Sequence, residues 1–138
     1  MLFSYDTDDI LYTVLTASEG LRAAISGGIY NTDRPEGSAK EDITINTISI
    51  NGETPQAGTS NVNIHVPDLK LKIDNQEQCK ANRERLREIT RLVVSVLEEA
   101  NVEGLLFWVS SGTIIAEPAI KQHYANLRIT WNIHKTNN

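Results

Sequence analysis

The run DNQEQCKANRERLREITRLVVSVLEEA, Asp74 to Ala100, is the longest periodic stretch in the chain. Its spacing predicts a single helix of about 40 Å. Asp74 is the expected N-cap, with Glu77 three residues on as a capping pair requires. Cys79, Leu86, Ile89, Val93, Val96, Leu97 and Ala100 recur on one face at helical spacing. Gly104 marks the exit. The first half is charged and the second half is apolar enough for a core helix. One end should therefore pack against a sheet while the other projects or touches a partner.

Upstream, the acidic turn Asp6–Asp9 precedes Ile10, Leu11, Val14 and Leu15, the pattern of an amphipathic helix. Ser18-Glu19-Gly20 interrupts it, and Leu21–Ser26 adds a further turn or two. Gly27-Gly28 is expected to end that helix as a left-handed C′ cap. Ile29-Tyr30 begins a short strand, and Asn31–Lys40 is a loop rich in Pro, Gly, Ser, Asp and Asn. Ile43, Ile45, Ile48 and Ile50 mark a strand whose apolar parity changes midway. A bulge near Asn46-Thr47 would align all four, and burial on both faces is the alternative. Asn51–Ser60, with Pro55 and Gly58, reads as a long loop or projecting arm. Asn61–Val66 alternates without fault and is a half-buried antiparallel strand, ended by Pro67-Asp68. Leu69–Ile73 is read as a connection.

Downstream, Leu105–Val109 is a short strand, Ser110-Ser111-Gly112 a turn, and Thr113–Ala116 a returning strand that Pro118 confines to an edge or end. Leu127, Ile129, Trp131 and Ile133 alternate with Arg128, Thr130, Asn132 and His134 as a long final strand. The class is α+β: a single domain over residues 1–138, with a mainly antiparallel sheet carrying both helices on one face.

At 138 residues, with 40% hydrophobic and 22% charged side chains, a core is within reach without staples. A net charge of −5 argues against broad binding to nucleic acid or anionic membrane, which calls for a basic footprint. The single cysteine forbids an internal disulfide and a cysteine-based metal cluster, and points to a reducing compartment. Met1–Asp9 lacks the basic and apolar regions of a signal peptide, and no window is apolar enough to span a membrane.

Little in the chain announces chemistry. Gly27-Gly28 follows a helix, whereas a phosphate loop precedes one. His65, His123 and His134 are scattered along strands, and Cys79 is expected to be a small buried hydrophobe. No catalytic, metal or cofactor-binding residue is assigned, and the chain is expected not to be an enzyme. The notable charges are Arg83, Arg87 and Arg91, four apart and hence one basic stripe. Beside them Lys80, Glu84 and Glu88 form a mixed stripe. The stripe is either a solvated face laced by pairs such as Glu84–Arg87 and Glu88–Arg91, or a subunit contact, or a contact with DNA phosphates. As a subunit contact it would meet an acidic patch of a neighbour, such as Asp6–Asp9 or Glu98-Glu99. Asn51, Gly52 and Glu53, at the start of the expected arm, are the other candidate interface residues.

Ile25-Ser26-Gly27-Gly28-Ile29-Tyr30, then Arg34-Pro35, Glu41–Ile50 and Asn61–Pro67, resemble the tail-completion, or tail-terminator, family of tailed bacteriophages and prophages, most closely its Bacteroides-type branch. The resemblance implies a structural virion protein forming a hexameric ring at the head-proximal end of the tail. There it would meet the tail tube protein and head-neck connector proteins, close to genomic DNA in the lumen and away from any membrane. It implies assembly in the bacterial host cytoplasm and no cofactor. A cytosolic, non-enzymatic adaptor is the alternative, recognisable as a stable monomer or dimer with a one-to-one partner. A small enzyme would need a pocket joining His65, His123 or Cys79 to a carboxylate.

Overall fold

A computed structural model describes residues 1–134. The fold is α+β. Helix α1 (Ser4–Thr16) and the short α2 (Glu19–Ala24) come first, followed by β1 (Ile29–Asn31), β2 (Asp42–Ile50) and β3 (Gln56–Pro67). A hairpin of β4 (Leu69–Ile73) and β5 (Gln76–Lys80) then leads to α3 (Arg83–Glu99), and β6 (Leu105–Glu117) and β7 (Gln122–Ile133) close the chain. Five strands form one sheet in the order β1-β2-β3-β7-β6. Only the β1–β2 pair is parallel.

Helix α1 starts where Asp6 Oδ2 accepts the backbone N–H of Phe3 at 2.8 Å. Its expected apolar face is present, with Leu11 and Leu15 fully buried. Thr7, Thr47, Ser60 and Trp131 link α1 to the sheet through a chain of hydroxyls. Trp131 Nε1 donates to Ser60 Oγ at 2.9 Å, and Thr47 Oγ1 lies 2.8 Å from Ser60 Oγ and 2.7 Å from Thr7 Oγ1. Such a network satisfies groups that burial would otherwise leave unpaired. Ser18 caps α2 by accepting the Leu21 N–H at 3.1 Å, so that helix begins at Glu19.

Gly27-Gly28 is not a left-handed cap: neither glycine has positive φ, and α2 ends at Ile25 in extended conformation. The glycines are there for close approach. Gly27 N–H donates to Glu41 O at 2.9 Å, and a Cβ on Gly27 would collide with that carbonyl and with the Asp42 carboxylate. Gly28 N–H donates to Asp42 Oδ1 at 3.0 Å.

The helix expected over Asp74–Ala100 is shorter. It begins at Arg83, capped by Asn82, whose Oδ1 accepts the Arg85 N–H at 3.2 Å. Asp74 and Asn75 instead form a two-residue hairpin turn, both at positive φ (51° and 62°). Asx residues tolerate that region, and such primed turns match strand twist. Cys79 therefore lies on β5, partly exposed, and not on a helix face. The true helix buries Leu86, Ile89, Val93 and Leu97, as the apolar half predicted, while Val96 and Ala100 are only partly covered.

The arm expected at Asn51–Ser60 is also relocated. Gln56–Ser60 belongs to β3, paired with β2 and β7, and only a turn over 51–55 remains. The projecting element is the β4–β5 hairpin, which forms its own two-stranded sheet. In β2 the irregularity falls between Thr47 and Ser49, slightly later than expected. Ile43 and Ile45 are buried and Ile50 is partly so, but Ile48 is the extra residue and points out, 48% exposed.

Ser110-Ser111-Gly112 is not a turn. β6 runs unbroken for 13 residues beside β7, with a register shift between Val109 and Ser111. The bulge resets parity, so Leu105, Phe107 and Val109, then Gly112 and Ile114, sit opposite the inward residues of β7. Pro118 ends the strand by starting a 3-10 turn.

Candidate assembly surfaces

Two lateral sides of the molecule present different groups, although Glu84 and Glu88 share the α3 surface of Arg87 and Arg91. On the β6 side, Arg83, Arg87 and Arg91 are all exposed on α3. Among the described residues none of the three forms an ion pair. Glu88, expected to pair with Arg91, is taken by Arg85 at 3.1 Å. Arg83 and Arg87 overhang a cleft of about 240 Å³ between α3 and the inner side of β6. Its floor is Leu86, Ile114 and Leu127, and Gly112 widens it by presenting no side chain. The helical layer thus stops short of the sheet edge, and the last strand is only partly roofed.

The outer side of β6 is open as well. Leu106, Trp108 and Ile115 point away from the helices and are exposed, Trp108 by 45%. No charged residue occurs between Leu105 and Ala116. Edge strands of soluble monomers are usually short, charged or interrupted, because unpaired N–H and C=O groups recruit other strands. A long apolar edge is the signature of a surface that is covered in an assembly.

On the opposite side, α1 lies over β2 and β1. Its start carries the stacked rings of Phe3 and Tyr5, with centroids 5.7 Å apart, and both are exposed. Asp9 accepts from Asn31 Nδ2 at 3.0 Å at the β1 edge. Asp8 turns inward and accepts from Thr47 Oγ1 at 2.6 Å, and burial raises its pKa above the usual carboxylate value. The candidate residues Asn51, Gly52 and Glu53 belong to this side. Gln56 Nε2 donates both to Asn51 O at 2.6 Å and to Leu2 O at 3.1 Å, tying the turn to the segment before α1. The structure therefore brings the three arginines together and places Asn51–Glu53 away from them, across the sheet.

Arg85 is the residue that spacing did not single out. It lies between the arginines of the stripe, yet turns to the other flank of α3. Its guanidinium grips Glu41 twice, at 2.6 and 2.9 Å, and donates to the carbonyl of Ala24. The paired guanidinium holds the Glu41 carboxyl below its ordinary value, against the opposing effect of burial. Its period of two from Arg83 and Arg87 was the available signal, since that offset turns a side chain to another helix flank.

The polar residues elsewhere are internally engaged. His65 is buried between Thr44 Oγ1 at 3.0 Å and Glu117 Oε1 at 3.2 Å, and burial lowers its pKa. His123 Nδ1 sits 2.6 Å from Asp68 Oδ1. Asp42 gathers Ser38, Arg34 and Gly28, and Arg34 reaches on to Gln122 at 2.6 Å. These contacts pin the Asn31–Lys40 loop to the sheet end. Among the described residues no group of three or more His, Cys, Asp or Glu side chains is placed to hold a metal. Nor is any helix long and apolar enough to cross a membrane.

No family model and no curated protein matches the sequence. Among solved structures, a chain of "Virion of native gene transfer agent (GTA) particle" matches with a TM-score of 0.60 at 11% identity. The match covers 89% of this chain and 90% of that one. What the two chains share is the fold, across nearly the whole of both.

Proposed function

We propose that this chain is a structural virion protein of a tailed phage or prophage, acting as one tail-terminator-like domain. In this reading it is a ring-forming subunit at the head-proximal end of the tail, meeting the tail tube on one side and head-neck connector proteins on the other. It has no enzymatic role. The observation that carries the reading is the near end-to-end fold likeness to a chain of a virion. The long uncharged edge strand β6 supports it, because a surface of that kind calls for a partner. The motif resemblance at Ile25–Pro67 adds the tier.

The test is genetic. In the phage or prophage that encodes the chain, the gene is deleted and the lysate is imaged by negative-stain electron microscopy. Overlong tails without heads are the expected outcome for a terminator. Finished heads beside tails of normal length move the protein to the neck. Intact infectious particles overturn the virion reading.

A further inference from the structure

Resting on the ring reading, we propose that the cleft between α3 and β6 receives the start of α1 from a second copy of this chain. Phe3 or Tyr5 enters the cleft, and Asp6 and Asp9 face Arg83, Arg87 and Arg91.

Charge complementarity selects this occupant. The cleft is rimmed by guanidiniums that find no carboxylate within their own chain among the described residues. The knob is aromatic and acidic, and it stands exposed, Tyr5 by 63%. Size agrees. A cavity of about 150 Å³ accommodates a benzene, so the cleft of about 240 Å³ holds one phenol-sized ring above Leu86, Ile114 and Leu127. Asp8 takes no part, because it is turned inward onto Thr47.

Placement selects the symmetry. The knob lies over the β1–β2 side of the sheet and the cleft over the β6 side, at opposite ends of the strand order. Two different patches on opposite flanks make a heterologous contact, which repeats from copy to copy and closes when the rotation per step divides a full turn. A two-fold dimer through this contact would need knob and cleft within one patch, and they lie on opposite flanks. Buried opposite charges also fix register and discourage wrong docking.

The experiment uses two full-length variants. One carries R83E, R87E and R91E. The other carries S4K and D9K, leaving Phe3 and Tyr5 because they supply the ring and Asp6 because it caps α1. Circular dichroism melts establish that both fold. Sedimentation velocity follows self-association of each alone and of an equimolar mixture, up to millimolar protein. Each variant alone is expected to weaken association by about tenfold or more, and the mixture to recover part of it, since each knob then meets a cleft of opposite net charge. A third variant, R83K/R87K/R91K, keeps the charge and supplies amines for zero-length carbodiimide cross-linking between isotopically distinct chains. Links to Asp6 or Asp9 of the other chain support the proposal. The proposal is overturned by wild-type association in either variant, by a mixture no better than its parts, or by a wild-type chain that neither associates nor cross-links. Those failures leave the virion reading intact, because the deletion phenotype decides that separately.

Discussion

Asn61–Val66 in β3 and Leu69–Ile73 in β4 carry the same sequence pattern and meet opposite fates. Both alternate apolar and polar residues, and they are separated only by Pro67 and Asp68. β3 lies at the centre of a five-stranded sheet with Val62 and Ile64 fully buried. β4 pairs with β5 alone, and every one of its residues is exposed. Alternation decides which side chains share a face, but not whether anything covers that face. A lone two-stranded ribbon is marginal in water, so the β4–β5 arm owes its order to its two-residue turn and its anchored ends.

That contrast can be broken by truncation. Ile64→Ala empties part of the core and is expected to cost about 2–5 kcal/mol, read as a lower urea midpoint with an unchanged slope. Leu71→Ala, from a side chain 41% exposed, is expected to stay within about 0.5 kcal/mol. Equal losses at the two positions would mean that the arm packs onto the core.

Arginines on α3 sharpen the comparison at smaller scale. Arg85→Ala removes both bonds to Glu41 and leaves its carboxylate only the Ser26 N–H at 3.1 Å, an expected cost of about 1–3 kcal/mol. Arg87→Ala, on the solvated flank, is expected to fall within about 0.5 kcal/mol in the free chain. The Arg85–Glu41 pair also sets a pH dependence. The folded Glu41 pKa lies below its unfolded value near 4.5. Its contribution is therefore complete above that value and is lost as pH falls through the folded pKa. Stability measured from pH 6 to 3 should drop less steeply in Arg85→Ala than in the wild type.

The smallest effect is expected at His65. Burial lowers its folded pKa below the ordinary value of 6.5, so the unfolded chain takes up the proton first. Stability is then undiminished above pH 6.5 and declines as pH falls from there toward the folded pKa. His65→Gln should flatten that part of the profile, measured by thermal melts between pH 7.5 and 5. An unchanged slope would mean that Glu117, 3.2 Å away, offsets the burial.

The candidate surface was half legible. Arg83, Arg87 and Arg91 share a helix flank by arithmetic alone, and the structure keeps them together. Leu106 and Trp108 lie inside the run Leu105–Val109, a short strand whose unbroken apolar residues do not tell which face is open until its place at the sheet edge is known. Asn51–Glu53 reads as part of a long arm, and its true place in a short turn depends on β3 reaching back to Gln56, which bonds to Leu2, a contact across 54 positions. Cys79 reads as helical although it lies on β5, because Glu77, Cys79 and Lys80 fit a helix as readily as a ribbon.

By itself the sequence determined the faces: Leu11 and Leu15 on α1, Leu86 through Leu97 on α3, and the four inward residues of β7. Those follow from the backbone's fixed periods, which act between near neighbours. Only the tertiary structure decided that Ser110–Gly112 bulges instead of turning, that Asp74 ends a strand instead of starting a helix, and that β6 lies at an open edge. Each of these depends on which distant strand supplies hydrogen bonds and cover, and strand pairing is set between residues far apart in the chain.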